Sequence, residues 1–193
     1  MDNSPSILNR LFSLQGKTAL ITGASGGLGQ ALAVGLAEAG AAIGVHGRDQ
    51  ARIEQTCALV EAVGGTAIPL LADLATVEDC RRLITEAHQG LGRLDILINN
   101  AATNRRKAIA EVTEEDWEFI IAVNLRSILF LSQAAHALMR QQGGGKIIHI
   151  GSINTFYGLD TVSVYGAAKG GMTQLTKVMA VEWALDNIQV NCI

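Results

Sequence analysis

Short apolar runs rich in β-formers alternate with helix-length segments along this chain, and nothing else in the sequence constrains the fold as tightly. Lys17–Thr22 (KTALIT), Ala41–His46, Thr66–Leu71, Leu94–Ile98 (LDILI), Lys146–Ile150 (KIIHI) and Ile188–Ile193 read as six strands. Leu28–Ala39, Asp49–Val63, Val77–Gln89, a long stretch from about Thr113 to Arg140, and Val164–Leu185 read as the helices between them. Thr113 and Asp116 have the spacing of a reciprocally capped helix start, and Gly143-Gly144-Gly145 stops the long stretch. A strand–helix–strand repeat demands parallel strands, because each return passes over a face of the sheet. The expected architecture is α/β: a doubly wound parallel sheet in a single domain, with right-handed crossovers.

Composition agrees. The chain has 193 residues, enough for one full core, and 49% are hydrophobic against 17% charged, which excludes a disordered chain. Aromatics are only 4%, so Ala, Val, Ile and Leu must build the core, as suits helices packed closely on a parallel sheet. A net charge of −3 without a run of like charge argues against nucleic acid as the partner. Cys57, Cys80 and Cys192 are odd in number and widely spaced, which reads as reduced thiols. Met1–Pro5 does not open a signal peptide, and no uncharged apolar run is long enough for a bilayer, so a soluble cytoplasmic protein is expected. His46, His88, His136 and His149 show no metal-ligand spacing, and no metal is expected. Residues 1–13 read as a loosely held arm before a domain spanning 14–193.

Thr22-Gly23-Ala24-Ser25-Gly26-Gly27-Leu28-Gly29 joins the first strand to the first helix. A strand–turn–helix junction aims unpaired N–H groups at one point, and the helix dipole makes that point favourable for an anion. Glycines let a pyrophosphate approach the backbone. In dinucleotide-binding folds an acidic residue at the end of the second strand bonds the ribose 2′-OH of NAD, whereas an arginine suits the 2′-phosphate of NADP. Here that strand ends His46-Gly47-Arg48-Asp49, which favours NADP with NAD possible. Arg48 as a solvated surface charge, and Asp49 turned inward, are the competing readings.

Tyr165-Gly166-Ala167-Ala168-Lys169 places a phenol and an ammonium four apart on one helical face. A free tyrosine ionises near pH ~10, and a neighbouring cation lowers that value toward useful acid/base chemistry. Ser152 lies just past the fifth strand, and the Tyr165 helix starts from the same edge. Ligands of doubly wound sheets bind outside the carboxyl ends of the strands.

The G-x-x-x-G-x-G turn after Thr22, Asn99-Asn100-Ala101 after the fourth strand, Ser152, and Tyr165-x-x-x-Lys169 together resemble the short-chain dehydrogenase/reductase family, from about Leu14 to the chain end. The resemblance implies a Rossmann-type fold and hydride transfer between NADP or NAD and a secondary alcohol or ketone. It implies that Tyr165 exchanges the proton, Ser152 orients the substrate oxygen, Lys169 lowers the tyrosine pKa and holds the nicotinamide ribose, and Asn124 fixes a water in the proton relay. A buried asparagine that kinks its helix is the other reading of Asn124. The implied cofactor contacts are Gly23, Ser25, Gly27, Leu28, Gly29 and Arg48. Asp73, Leu74, Asn100 and Ala101, with Tyr165 and Lys169, complete them. Asp73 also reads as a turn cap. Two departures stand out: Ala102 replaces the usual glycine after Asn99-Asn100-Ala101. Gly26 sits where many NADP-using members carry a second basic residue.

The wording is similar to bacterial gluconate and 2-deoxygluconate dehydrogenases, with 3-oxoacyl-[acyl-carrier protein] reductases as the alternative. The implied substrate is a sugar acid or polyol. The loop Thr103-Asn104-Arg105-Arg106-Lys107 reads either as a receptor for a substrate carboxylate, through Arg105 and Arg106, or as a solvated loop. Asn154, Thr155, Phe156 and Tyr157 are expected to line the pocket. The stretches 113–140 and 164–185 resemble the family's subunit-interface helices, so a homo-oligomer is expected. Family members continue past Ile193 with segments that cover the substrate, so the sheet is expected to be truncated after its sixth strand. A cofactor-binding but catalytically idle fragment, acting through subunit contacts, is the reading of another class.

Overall fold

The computed structural model describes residues 11–193, so most of the expected N-terminal arm lies outside the described residues. Six parallel strands form one sheet in the order β3-β2-β1-β4-β5-β6. They are β1 (Thr18–Ile21), β2 (Ala42–Gly47), β3 (Ala67–Leu71), β4 (Ile96–Asn99), β5 (Gly145–His149) and β6 (Ile188–Cys192). The helices are α1 (Gly27–Glu38), α2 (Gln50–Ala62), α3 (Val77–Leu91), α4 (Glu114–Ile121), α5 (Ser127–Gln141) and α6 (Ser163–Glu182). All six expected strands and every expected helix are present, with ends displaced by at most three residues.

Alternation along each strand sends side chains to two separate cores. Leu20, Leu97, Ile147 and Val190 face α3, α5 and α6, where Leu83, Leu131 and Met179 meet them. Ala19, Ile21, Val45 and Ile98 face α1 and α2, where Ala33, Ile53 and Val60 close the layer. Burying a Leu- or Ile-sized side chain contributes about 1.5–3 kcal/mol, so these layers hold the sheet without large aromatics.

The long helical stretch is not regular. Thr113 and Asp116 form the expected reciprocal cap at the start of α4. A five-residue π turn, Ala122–Arg126, then separates α4 from α5. Its physical cause is Asn124, whose side-chain amide donates to the Ile120 carbonyl at 2.8 Å. The side chain thus competes for the oxygen that the helix's own N–H would take. Glu114–Gln141 is also long and apolar enough to cross a bilayer, but half of its most apolar 18-residue window is buried within the fold. The expected helix 164–185 ends at Glu182, and a short 3-10 turn (Ala184–Asp186) leads to Asn187 in the left-handed region at φ 56°.

Candidate active site

The strand order reverses at β1, whose two neighbours are β2 and β4. The loops after β1 and β4 therefore diverge and open a crevice at the carboxyl edge, where doubly wound sheets take their ligands. Thr22 ties the two loops together. Its hydroxyl donates to the Ile98 carbonyl (3.3 Å) and accepts from the N–H groups of Asn100 (3.0 Å) and Ala101 (3.1 Å). The Asn100 side chain donates back to the carbonyls of Thr22 (2.9 Å) and Gly23 (3.0 Å).

Two glycines are required by contact. A Cβ on Gly23, at φ +65°, would stand 2.8 Å from the Ala101 Cα; one on Gly29 would meet the Gly23 carbonyl. Gly29 is thus the close-packing glycine between loop and helix, not a wall of the cavity. Ala102 carries no strain, since Thr161 and Asn187 are the only non-glycine residues with positive φ among those described.

His46 braces the loop from the other side. Its Nδ1 accepts from the Gly23 N–H at 3.1 Å, and its Nε2 lies 3.2 Å from the Ala72 carbonyl. The ring is therefore neutral with its proton on Nε2. Burial pushes its pKa down from 6.5 to about 4, more than the Ala72 hydrogen bond raises it. The sequence reading excluded His46 as a metal ligand and missed this brace. Its position at the carboxyl end of the strand before Gly47 was the available signal.

A cavity of about 320 Å³ opens here, walled by Gly23, Ser25, Arg48, Asp73, Leu74, Asn100 and Ala101 from the expected set. Gly26, His46, Arg52, Thr103 and Val123 also contribute, and the sequence did not assign these to the cofactor. Gly27 and Leu28 form the first turn of α1 outside the wall. That turn carries no side-chain cap and no acidic residue, whereas Asp49, Thr76 and Thr113 cap α2, α3 and α4. Its free N–H groups fit a diphosphate. Asp73 walls the cavity and also accepts from the Ala75 N–H at 3.1 Å as a turn cap.

A second, open cavity of about 570 Å³ adjoins the first. They share Ala102 and Thr103 as a common wall. Ser152 and Tyr165 line it together with Arg106, Asn154 and Asp160. Of the other expected lining residues, Thr155, Phe156 and Tyr157 wall a neighbouring hollow instead. Lys169 lies behind Tyr165, its ammonium 5.6 Å from the ring centroid and donating to the Ile150 carbonyl at 2.6 Å. It is buried, and desolvation lowers its pKa. Lys169 therefore supports the site from beneath and is not one of the cavity walls.

Asn124 is also outside both cavities, buried between α4 and the β4 loop. Its amide donates to the carbonyls of Thr103 and Ile120, both at 2.8 Å, and its oxygen accepts from the Thr103 N–H at 3.1 Å. Both of its donors are used, so the clamp on Thr103 is the immediate function of this side chain, and one acceptor lone pair is left to meet a water.

The basic loop divides. Arg105 pairs with Glu115 (2.9 Å) and Asp116 (3.2 Å) and covers the Phe119 ring, and Lys107 pairs with Asp116. The Lys107 ammonium, the Thr113 cap and Arg105 hold the Asp116 carboxyl well below the usual range. Only Arg106 of the three cations faces the second cavity. The expected Arg105–Arg106 pair is thus corrected to Arg106 alone, because Asp116 commits its neighbours.

A diphosphate-sized cradle at the switch point, beside a cavity bearing a serine and a lysine-backed tyrosine, defines a dinucleotide-dependent oxidoreductase. The sequence model of the family described as short chain dehydrogenase matches residues 17–193. The chain is 42% identical over 188 residues to the 2-dehydro-3-deoxy-D-gluconate 5-dehydrogenase of Dickeya dadantii, covering 97% of this chain and 73% of that enzyme. Among solved structures, it superposes on a gluconate 5-dehydrogenase from Burkholderia cenocepacia in complex with NADP and tartrate. The TM-score is 0.89 at 37% identity, covering 94% of this chain and 71% of that one. A short-chain type dehydrogenase/reductase from Mycobacterium marinum gives a TM-score of 0.91 at 35% identity, covering 95% and 75%. The chain belongs to the short-chain dehydrogenase family.

Proposed function

We propose that this chain is an NADP-dependent dehydrogenase that interconverts a secondary alcohol and a ketone on a hydroxylated carboxylic acid of the sugar-acid type. The observation that carries the substrate class is Arg106, which shares one cavity with Ser152 and Tyr165. A guanidinium recognises a carboxylate by paired charge-assisted hydrogen bonds. The names of the Dickeya and Burkholderia enzymes point the same way.

The residues divide the chemistry. Tyr165 donates a proton to the carbonyl oxygen in reduction and accepts one from the alcohol in oxidation. Ser152 hydrogen-bonds that oxygen and orients it. Lys169 stands buried behind the ring, its ammonium 5.6 Å from the ring centroid, and secures the back of the site by donating to the Ile150 carbonyl. Asn124 holds Thr103, the wall common to both cavities, so that cofactor and substrate spaces stay in register. Bound over the glycine loop, the nicotinamide nucleotide supplies the hydride donor or acceptor, and the protein contributes position and electrostatics.

The NADP reading rests on the end of β2. A Cβ on Gly47 would stand 2.9 Å from the Ser25 Cβ and 3.1 Å from Ile53, so the room for an NAD-selecting carboxylate is taken. A homo-oligomer through α4–α5 and α6 is part of the same reading, supported by exposed Trp117, Val178 and Val181 on those helices. Buried free Cys57 and Cys80 suit a reducing, cytoplasmic compartment. Gel filtration checks the first; a monomer would refute it.

NADPH consumption against acidic and neutral ketones tests the proposal. Arg106→Ala should raise KM about 10- to 100-fold for acidic substrates, as expected for a lost charged hydrogen bond, and leave neutral polyols unaffected. Equal effects on both substrate types would defeat the carboxylate reading.

A further inference from the structure

We infer that Arg52, on the first turn of α2, is a second specificity-determining cation for a 2′-phosphate on the cofactor's adenosine ribose, acting together with Arg48. The inference rests on the NADP reading above and deepens it.

Four observations converge. Arg48 and Arg52 both wall the cofactor cavity, alongside Ser25 and Gly47. The Arg52 guanidinium lies directly against Gly26: a Cβ built there would come within 2.7 Å of Arg52 Nη2. Gly26 has φ 161° and ψ 177°, an extended backbone open to any residue. Its lack of a side chain therefore serves room, and Arg52 takes that room. The sequence reading marked Gly26 as the place of a missing second basic group. The structure fills the same space from α2.

The arginine is held there. Its own N–H is accepted by the Asp49 carboxylate at 3.1 Å, which fixes the first turn of the helix. One turn on, the Thr56 hydroxyl donates to the Ala24 carbonyl at 2.9 Å, so α2 is bonded directly to the glycine loop. Among the described residues, the guanidinium has no hydrogen-bond or ion-pair partner. None of the ion pairs among the described residues involves Arg48 or Arg52, while Arg82, Arg93, Arg105 and Arg140 are all paired. Asp73, the carboxylate in the same cavity wall, is occupied with the turn at Ala75.

Two like charges lining one cavity repel, and a phosphate of nearly two negative charges relieves both. A ribose hydroxyl in the same place relieves neither. The pair therefore selects for the phosphate by attraction and against the bare hydroxyl by leaving two cations unneutralised.

The test is titration of the full chain with NADPH and with NADH, in wild type, Arg48→Gln, Arg52→Gln and Arg52→Lys. Competition by adenosine 2′,5′-bisphosphate and by 5′-AMP supplies a readout independent of turnover. Arg52→Gln should weaken NADPH and the bisphosphate about 10- to 100-fold, as for loss of a charged hydrogen bond, and leave NADH and 5′-AMP unchanged. Arg52→Lys should recover part of the loss. A wild type that selects NADPH, with an Arg52→Gln variant of the same NADPH/NADH ratio, would overturn the role of Arg52 alone. Equal weakening of both nucleotides would assign Arg52 to folding of the loop and overturn it too. A wild type that prefers NADH would overturn the NADP reading itself, and this inference with it.

Discussion

The loop after β1 is held by Thr22, Asn100 and His46, which together make seven hydrogen bonds to neighbouring backbone groups. The loop after β5 has fewer side-chain bonds to its backbone, and its base is held by Lys169 donating to the Ile150 carbonyl. Ser152 accepts from the Asn154 N–H at 3.2 Å, and Ile153, Phe156 and Tyr157 stand exposed at 62%, 81% and 63%. Thr155 Oγ1, inside the same loop, is buried without a partner among the described residues. The two halves of one crevice are thus built to different standards. A diphosphate is the same in every dinucleotide, so backbone N–H groups and fixed polar bonds suffice to receive it. A substrate is recognised by side chains, and those vary on loops without disturbing the sheet. The two cavities are lined by loops held in different ways and are joined through the shared wall at Ala102 and Thr103.

Tyr165→Phe gives the sharpest separation. Loss of the proton-transferring hydroxyl should lower kcat about 10²- to 10⁴-fold, while NADPH titration stays as in wild type. A parallel loss of cofactor affinity would show that the halves are coupled through the α6 helix.

The two buried histidines come next, one in each half. His149 sits between Ser132 and Thr176, at 3.2 and 2.9 Å, and burial pushes its pKa down to about 4, as for His46. An unfolded histidine takes a proton near pH ~6.5, so between that pH and about 4 the unfolded chain binds protons that the native chain does not. Stability is then full above pH ~6.5 and falls as the pH drops toward about 4. The loss is on the order of 3 kcal/mol per histidine. Urea unfolding across this range should show the slope flattened in His46→Gln and in His149→Gln. Only His46→Gln should also flatten the acid dependence of NADPH affinity, because only His46 bonds the glycine loop. Identical behaviour of the two variants would dissolve the contrast.

Thr22→Val removes the acceptor shared by the Asn100 and Ala101 N–H groups at nearly constant volume. Leaving buried donors unpaired costs about 1–3 kcal/mol, which calorimetry should read as a lower Tm, accompanied by weaker NADPH binding. The smallest effect is expected at Phe156→Ser. Stability should stay within about 0.5 kcal/mol, and KM for the substrate is the parameter that moves.

Much of this was legible beforehand. The alternation of strands and helices specified the sheet, because each apolar period is a local property of consecutive residues. The glycine turn and the Tyr165–Lys169 spacing marked the edge at which the two cavities open for the same reason: their spacing within one loop or one helix carries the geometry. Arg105 and Arg106 show the limit. They are adjacent and chemically equal, yet Asp116, from the start of α4, claims one and leaves the other facing the cavity.

Sequence alone determined the parallel α/β sheet, the glycine turn between β1 and α1 and the helical face that carries the phenol and ammonium. Tertiary structure decided that His46 supports the glycine loop, that Asn124 clamps Thr103 within a π turn, and that Arg52 fills the space beside Gly26. Each of those pairings joins residues brought together by the crossovers of the chain. Hydrogen bonds and ion pairs depend on distance in space, and periodicity along the chain does not encode it.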